Sequence, residues 1–211
     1  MQIKEGILLI NKPRGRSSFS MVAQVRRISG VKRVGHAGTL DPEAEGLLIV
    51  LVGKEYTKKS DSFLKLDKTY EFTIRLGQSS TTGDKEGEKT AISSDKPTEK
   101  AILNVLQGLQ GELKQVPPIY SAIKVNGQRA YKLAAKGQKP DLEAREITIY
   151  SLELLDYTYP QLKLRAEVSS GTYIRVLGET IGMQLGTGAY CTEIIRTKIG
   201  KYDLKNAIIL D

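Results

Sequence analysis

The sequence predicts an α+β fold around an antiparallel or mixed sheet, and three observations carry that prediction. Most strand candidates alternate apolar and polar residues, as strands with one wet face do. Single helix-period stretches interrupt them, in place of a regular strand and helix repeat. No internal repeat, low-complexity tract or linker divides the chain, and its 211 residues suit one sizeable domain.

The elements follow in order. Ile7-Leu8-Leu9-Ile10 is a short apolar strand, stopped by the turn-rich Asn11-Lys12-Pro13 and Gly15. Met21, Val22, Val25 and Ile28 recur at helical spacing, so a helix is expected there, capped by Ser17 or Ser18 and closed by Gly30. Gly35 to Pro42 is too rich in Gly and Pro for regular structure, and Leu47 to Val52 reads as a buried strand. Tyr70 to Leu76 is the clearest strand, with Tyr70, Phe72, Ile74 and Leu76 on one face and Glu71, Thr73 and Arg75 on the other. Residues 77–97 are polar and loop-like. Ala101, Ile102, Val105, Leu106 and Leu109 then give a helix stripe that Thr98 caps, and the paired prolines of Val116-Pro117-Pro118-Ile119-Tyr120 exclude a helix interior. Two further strands, Ile147 to Leu155 and Leu162 to Val168, precede a last helix over Val176 to Leu185.

Composition excludes several functions. One cysteine, Cys191, and one histidine, His36, rule out an intramolecular disulfide and a Cys/His zinc site of ordinary spacing. No apolar run reaches membrane-spanning length, and the N-terminus carries no cleavage signature, so neither a membrane location nor secretion is expected. The formal charge of +8 points, weakly, to a polyanionic partner.

Three stretches can carry chemistry. Lys12, Arg14, Arg16, Arg26, Arg27, Lys32 and Arg33 place seven positive charges in residues 12–33 with no acidic residue among them, which reads either as a solvated face or as a phosphate-binding surface. His36 to Pro42 holds the lone histidine and an Asp-Pro pair between glycines. Asp41 is therefore either presented to a ligand at a loop tip, or a turn former or helix cap followed by Glu43 and Glu45 in a first turn. In Ser169-Ser170-Gly171-Thr172-Tyr173-Ile174-Arg175-Val176, an extended run would put Tyr173 and Arg175 on one side. Arg175 then meets solvent, pairs structurally, or takes an anionic partner such as Asp41.

Taken together, ordered blocks of this sequence resemble the bacterial tRNA pseudouridine-55 synthases. The blocks are Asn11-Lys12-Pro13-Arg14-Gly15, then Val34-Gly35-His36-Ala37-Gly38-Thr39-Leu40-Asp41-Pro42-Glu43-Ala44-Glu45-Gly46-Leu47, then Gln115-Val116-Pro117-Pro118-Ile119-Tyr120-Ser121-Ala122-Ile123-Lys124. Gly127, Tyr131, Ala134, Gly137, Ser170 to Arg175, Leu185-Gly186 and Ala189 follow in the same order. The resemblance implies the pseudouridine synthase catalytic fold over residues 1–211: a mixed, largely antiparallel central sheet with flanking helices and a thumb-like insertion at about 115–140. It also implies that the usual C-terminal RNA-binding domain is missing, the chain ending at Asp211.

By the same resemblance the activity is isomerisation of uridine at position 55 in the T-loop of tRNA. Asp41 is the essential aspartate, Arg175 the arginine that pairs with it, and Tyr70 the tyrosine that packs on the target base and assists proton removal. His36, Tyr173 and Ile194 line the uridine pocket, while Lys12 and Arg14 of the basic cluster contact the RNA. No cofactor and no metal is expected. The implied partner is the tRNA T-arm stem-loop, met by a cytoplasmic monomer with no obligate protein partner. Departures from the family pattern are Ser80-Thr81-Thr82-Gly83-Asp84, Ala189-Tyr190 and Ile194-Ile195-Arg196, the last losing a basic contact at Ile195. Two other readings remain: an RNA-binding or RNA-folding module without catalysis, and a pseudouridine synthase acting on another RNA.

Overall fold

The computed structural model describes residues 3–121, 123–125, 127–138 and 140–210. Ala122, within the third motif block, lies outside them, as does Asp211 at the chain end. The chain divides into two compact units, residues 1–71 with 193–211, and residues 72–192.

In the first unit, β1 (Gly6–Lys12) leads to α1 (Ser18–Ser29), β2 (Val34–Ala37) and β3 (Glu45–Val52). β1 runs antiparallel to β3, from Gly6 opposite Val52 to Lys12 opposite Gly46. β2 pairs with β3 as well, with His36 opposite Val50. Strand structure thus enters the Gly-rich block at Val34–Ala37, where none was expected, because β3 offers backbone groups that must be paired. β1 likewise continues through Asn11 and Lys12.

β3 is apolar from Leu47 to Val52, and its burial explains why. Leu48, Val50 and Val52 pack with Met21, Val22 and Val25 of α1. Leu47, Ile49 and Leu51 pack on the other side with Phe63 and Ile199. Ser17 caps α1 by accepting from the Ser20 amide, and Gly30 ends it in the left-handed region. Ile28 is exposed, and Gln24 is buried in its stead.

After the short helices α2 (Lys54–Thr57) and α3 (Ser60–Leu64), β4 (Lys68–Leu76) passes into the second unit with strict alternation of burial. Lys68 joins Tyr70, Phe72, Ile74 and Leu76 on its buried face. A hairpin of β5 (Gln78–Ser80) and β6 (Lys89–Ala91) occupies the stretch expected to be loop. Helix α4 (Glu99–Gly108), capped by Thr98, leads to β7 (Gly111–Gln115).

From Gln115 the chain departs into a hairpin, β8 (Lys124–Val125) and β9 (Gln128–Arg129), and helix α5 (Ala130–Ala134). It re-enters at Arg145, the register partner of Gln115, as β10 (Arg145–Thr158). β11 (Gln161–Val168) pairs antiparallel with β10. Next come α6 (Ile174–Gln184) and β12 (Ala189–Ile199), which returns to the first unit before β13 (Tyr202–Asp203) and a 3-10 turn at Leu204–Asn206.

Strand order is β1-β3-β12-β4 in the first unit and β12-β4-β11-β10-β7 in the second. The β3 and β12 pairing is parallel, whereas β1 with β3, β10 with β11 and β10 with β7 are antiparallel. This is the α+β, mainly antiparallel mixed sheet that the strand patterns call for.

The Ser169 to Val176 segment corrects one expectation. It is not extended at Arg175: Tyr173 is the residue before α6, and Arg175 is helical and buried. Alternation therefore does not relate Tyr173 to Arg175. Gly182 on the same helix has a strict steric role, since a Cβ there would lie 2.3 Å from the Ala189 amide nitrogen.

Candidate active site

In the first unit the site is a loop held by its backbone. Gly38 to Ala44 links β2 to β3, and Asp41 closes a turn in which its carbonyl accepts from the Ala44 amide at 3.1 Å. The turn reading of Asp-Pro is correct, but no helix follows, because Glu45 already belongs to β3. Asp41 itself is half-exposed.

Three buried side chains anchor this loop. Ser18 Oγ donates to the Leu40 carbonyl at 3.0 Å and accepts from the Leu40 amide at 2.9 Å. Arg196 donates from Nη2 to the Gly38 carbonyl at 3.0 Å and from Nε to the Leu47 carbonyl at 2.8 Å. Lys12 Nζ donates to the carbonyls of Arg16, Pro13 and Pro42 at 2.6, 3.0 and 3.1 Å. A loop whose backbone oxygens are fixed in this way holds its aspartate in one place.

Lys12 does not act as expected for an RNA contact. It is completely buried, and a phosphate cannot reach its ammonium. Burial brings its pKa down to about 8, against the opposing pull of Asp41, Glu43 and Glu45. Lys12 thus contributes positive potential to Asp41 from beneath the loop. Arg14 is also committed, its Nε donating to Glu43 Oε2 at 2.8 Å on the surface. Lys68 is a second buried ammonium, held by the carbonyls of Leu64 at 2.6 Å and Leu66 at 2.5 Å. Its pKa is brought to about 8, first by burial and then by Arg196.

His36 lies on β2 and is half-buried, Tyr70 is buried on β4, and Ile194 is half-buried on β12. All three belong to the first unit, with Asp41 and Lys12. Tyr173 and Arg175 belong to the second.

In that second unit Arg175 is 5% exposed and well supported. Nη1 donates to the Thr82 carbonyl and Nη2 to the Tyr120 carbonyl, each at 2.8 Å, and Asp84 Oδ2 lies 3.8 Å from Nη1. The aspartate retained in Ser80-Thr81-Thr82-Gly83-Asp84 thus serves the arginine. One turn along α6, the Glu179 carboxyl is raised in pKa by burial, with Arg175 opposing and Asp84 adding to the shift. Gln115 binds Tyr173 by two backbone bonds: the Tyr173 amide donates to Oε1 at 2.8 Å, and Nε2 donates to the Tyr173 carbonyl at 3.1 Å. This supplies the start of α6 with a partner that no capping side chain provides.

Sequence reasoning missed Arg196, Ser18, Gln115 and Glu179. No local pattern marked Arg196, because β12 mixes polar and apolar residues and the carbonyls it serves, those of Gly38 and Leu47, lie 158 and 149 residues away. Among the described residues no group of three or more His, Cys, Asp or Glu side chains is placed to hold a metal ion.

The mixed, mainly antiparallel fold of this chain has counterparts among solved structures. The chain superimposes on a structure described as a Cbf5-Nop10-Gar1 complex with a TM-score of 0.75 and 28% identity, covering 100% of this chain and 54% of that one. Against an H/ACA RNP bound to a substrate RNA containing 2'-deoxyuridine the TM-score is 0.73 at 25% identity, covering 97% and 50%. The chain thus spans about half the length of these structural neighbours. A model of the TruB family pseudouridylate synthase (N terminal domain) matches residues 26–174. The tRNA pseudouridine synthase B of Protochlamydia amoebophila is 44% identical over 204 residues, covering 97% of this chain and 78% of the relative. That of Chlamydia abortus is 42% identical over 208 residues, covering 98% and 88%. The chain belongs to the TruB family of pseudouridylate synthases.

Proposed function

We propose that this chain isomerises uridine to pseudouridine at position 55 in the T-loop of tRNA, as a cytoplasmic monomer that needs no protein partner and no cofactor. The observation that carries the reading is the Asp41 loop, complete in its motif and fixed by Ser18, Lys12 and Arg196. The curated relatives named tRNA pseudouridine synthase B support tRNA as the RNA.

The reaction breaks the bond from C1′ to N1, turns the uracil and joins C1′ to C5, and the C5 proton is then lost to a base while N1 gains one. Atoms are conserved and no electrons are exchanged with another molecule. The nucleotide first leaves its stack, which costs on the order of a few kcal/mol, and a pocket with an aromatic wall offsets that cost. The ionised Asp41 either attacks C1′ or stabilises the positive charge that develops there, and both routes need the carboxylate held in place. Arg175 is assigned as its guanidinium partner, and Tyr70 and Ile194 as the groups that enclose the uracil. His36 and Tyr173 are assigned to the pocket lining. The insertion at about 115–140, within the excursion between Gln115 and Arg145, is assigned as the thumb that closes on the T-loop.

Mapping pseudouridine in an unmodified tRNA transcript, and in a T-arm stem-loop, tests the reading. Wild type is expected to modify position 55 in both without other proteins. Asp41→Asn is expected to bind the same RNA and form no product. Turnover by that variant, or a wild type that binds RNA without modifying it, overturns the assignment.

A further inference from the structure

The basic cluster of residues 12–33 separates into charges that are buried, paired with a carboxylate or turned onto another element, and charges that are not. Among the described residues the Arg16 side chain bonds only to Ser20 and Gln24 of the neighbouring helix. Lys12 is buried, and Arg14 faces Glu43. Arg26 donates to the Val34 carbonyl at 3.3 Å, and Arg33 to Thr57 Oγ1 at 3.4 Å. Of the other three, Lys32 lies beyond the end of α1, while Arg16 and Arg27 stand along it, and neither arginine is paired with a carboxylate among the described residues.

These two arginines share a shallow groove of about 460 Å³ along α1, lined by Arg16, Ser20, Ala23, Gln24 and Arg27. The groove follows from helical spacing, since positions 20, 23 and 27 recur at three and four residues on the side away from Met21, Val22 and Val25. Its arginine at one end is pre-oriented. Arg16 Nη2 donates to Gln24 Oε1 at 3.1 Å, and Gln24 is 7% exposed, so the guanidinium is steered by a fixed amide. Ala23 keeps the floor low between the two cations. Phe19 stands on the same face, four residues before Ala23, and is 68% exposed. An aromatic ring so exposed contributes nothing to the core. The first turn of α1 holds no acidic residue, so the positive end of the helix adds to the local field.

We infer that this face of α1 is a second RNA-docking surface, on which Arg16 and Arg27 take two backbone phosphates and Phe19 stacks on an unpaired base. The inference rests on the tRNA-modifying reading but concerns residues outside the candidate active site. Arginine pairs with phosphate oxygens through a planar fork, and an exposed ring beside such a track is how proteins hold unstacked nucleotides. Net charge favours the same occupant, because the chain as a whole is positive by +8.

Binding of the purified chain to full-length unmodified tRNA, followed by fluorescence anisotropy over a series of salt concentrations, tests this. Arg16→Gln with Arg27→Gln is expected to weaken binding and to flatten the slope of log K against log salt by about 1.4 to 1.8, two phosphates' worth. The Arg16 backbone carbonyl, which receives Lys12, is untouched by that change. Phe19→Ala is expected to weaken binding by on the order of tenfold, Phe19→Leu similarly, and Phe19→Trp to retain it, because only the ring stacks. Pseudouridine formation at saturating tRNA should be unchanged in all of them. Wild-type affinity and slope in these variants would overturn the proposal and leave the face to an acidic protein or to solvent. A loss of rate at saturating RNA would overturn it too, by placing the face within the reacting site. A wild type that binds tRNA through these residues but makes no pseudouridine would defeat the enzymatic reading and leave this one standing.

Discussion

Gly46 shows how little freedom the loop has at single positions. Its φ is +102°, and a Cβ there would lie 2.4 Å from the Arg196 carbonyl oxygen and 2.9 Å from its amide nitrogen. These atoms belong to the parallel register in which Arg196 pairs with Gly46. Gly46→Ala therefore meets both an unfavourable backbone region and a neighbouring strand that cannot yield. The expected loss is about 3 to 5 kcal/mol of stability, read by chemical denaturation. Arg175 makes a different residue-scale case. Its fork spans two carbonyls, from Thr82 and Tyr120, that a single ammonium cannot serve in the same geometry. Arg175→Lys is expected to lower the rate of pseudouridine formation at least tenfold while tRNA affinity changes by less than a factor of about three. The reverse pattern, with affinity lost and rate kept, would remove Arg175 from the catalytic assignment.

Elements meet in the Asp41 loop, where a helix, a strand end and a returning strand each contribute one anchor. Ser18 is the contribution of α1, and its hydroxyl satisfies both backbone groups of Leu40. Ser18→Ala leaves those two groups buried without that partner, so about 2 kcal/mol of stability is expected to go. The rate should fall more than RNA affinity, because the loop and not the RNA surface is loosened. Ser17→Ala, by contrast, removes only the cap of the same helix, about 1 kcal/mol with the rate unchanged. Comparing these adjacent serines separates loop anchoring from helix stability. The pair also marks what was legible in the sequence. Period-two and helical spacing placed β4, β10, β11, α1, α4 and α6 within a few residues, because each carries its own apolar pattern. β2 and β12 were not legible, since a strand that pairs with an already buried neighbour needs no alternation of its own. The motif block located Asp41. Its anchors were invisible because Ser18, Lys12 and Arg196 come from 22, 30 and 158 residues away from the groups they hold.

The whole molecule carries +8, and part of its positive charge sits on buried cations of the first unit. Lys12 and Lys68 are both buried, with pKa values of about 8, burial being the first cause in each. The unfolded chain keeps these two protons up to the ordinary lysine value near 10.5. Between about 8 and 10.5 the unfolded state therefore binds more protons than the folded state, so each lysine makes stability rise with pH across that window. Below about 8 both states are protonated, and the cost of burying the ammonium is fully present. Above 10.5 both are neutral and the contribution is constant. Denaturation at pH 7.5, 9 and 10 should show Lys68→Met with a smaller rise in stability than wild type across the window, by as much as about 1.4 kcal/mol per pH unit. Lys12→Met should reduce the rise similarly and also weaken the Asp41 loop, since the carbonyls of Pro13, Arg16 and Pro42 lose their common donor. Equal pH dependence in wild type and Lys68→Met would mean that the buried ammonium keeps its ordinary proton affinity, and that the oxygens of Leu64 and Leu66 compensate its burial in full.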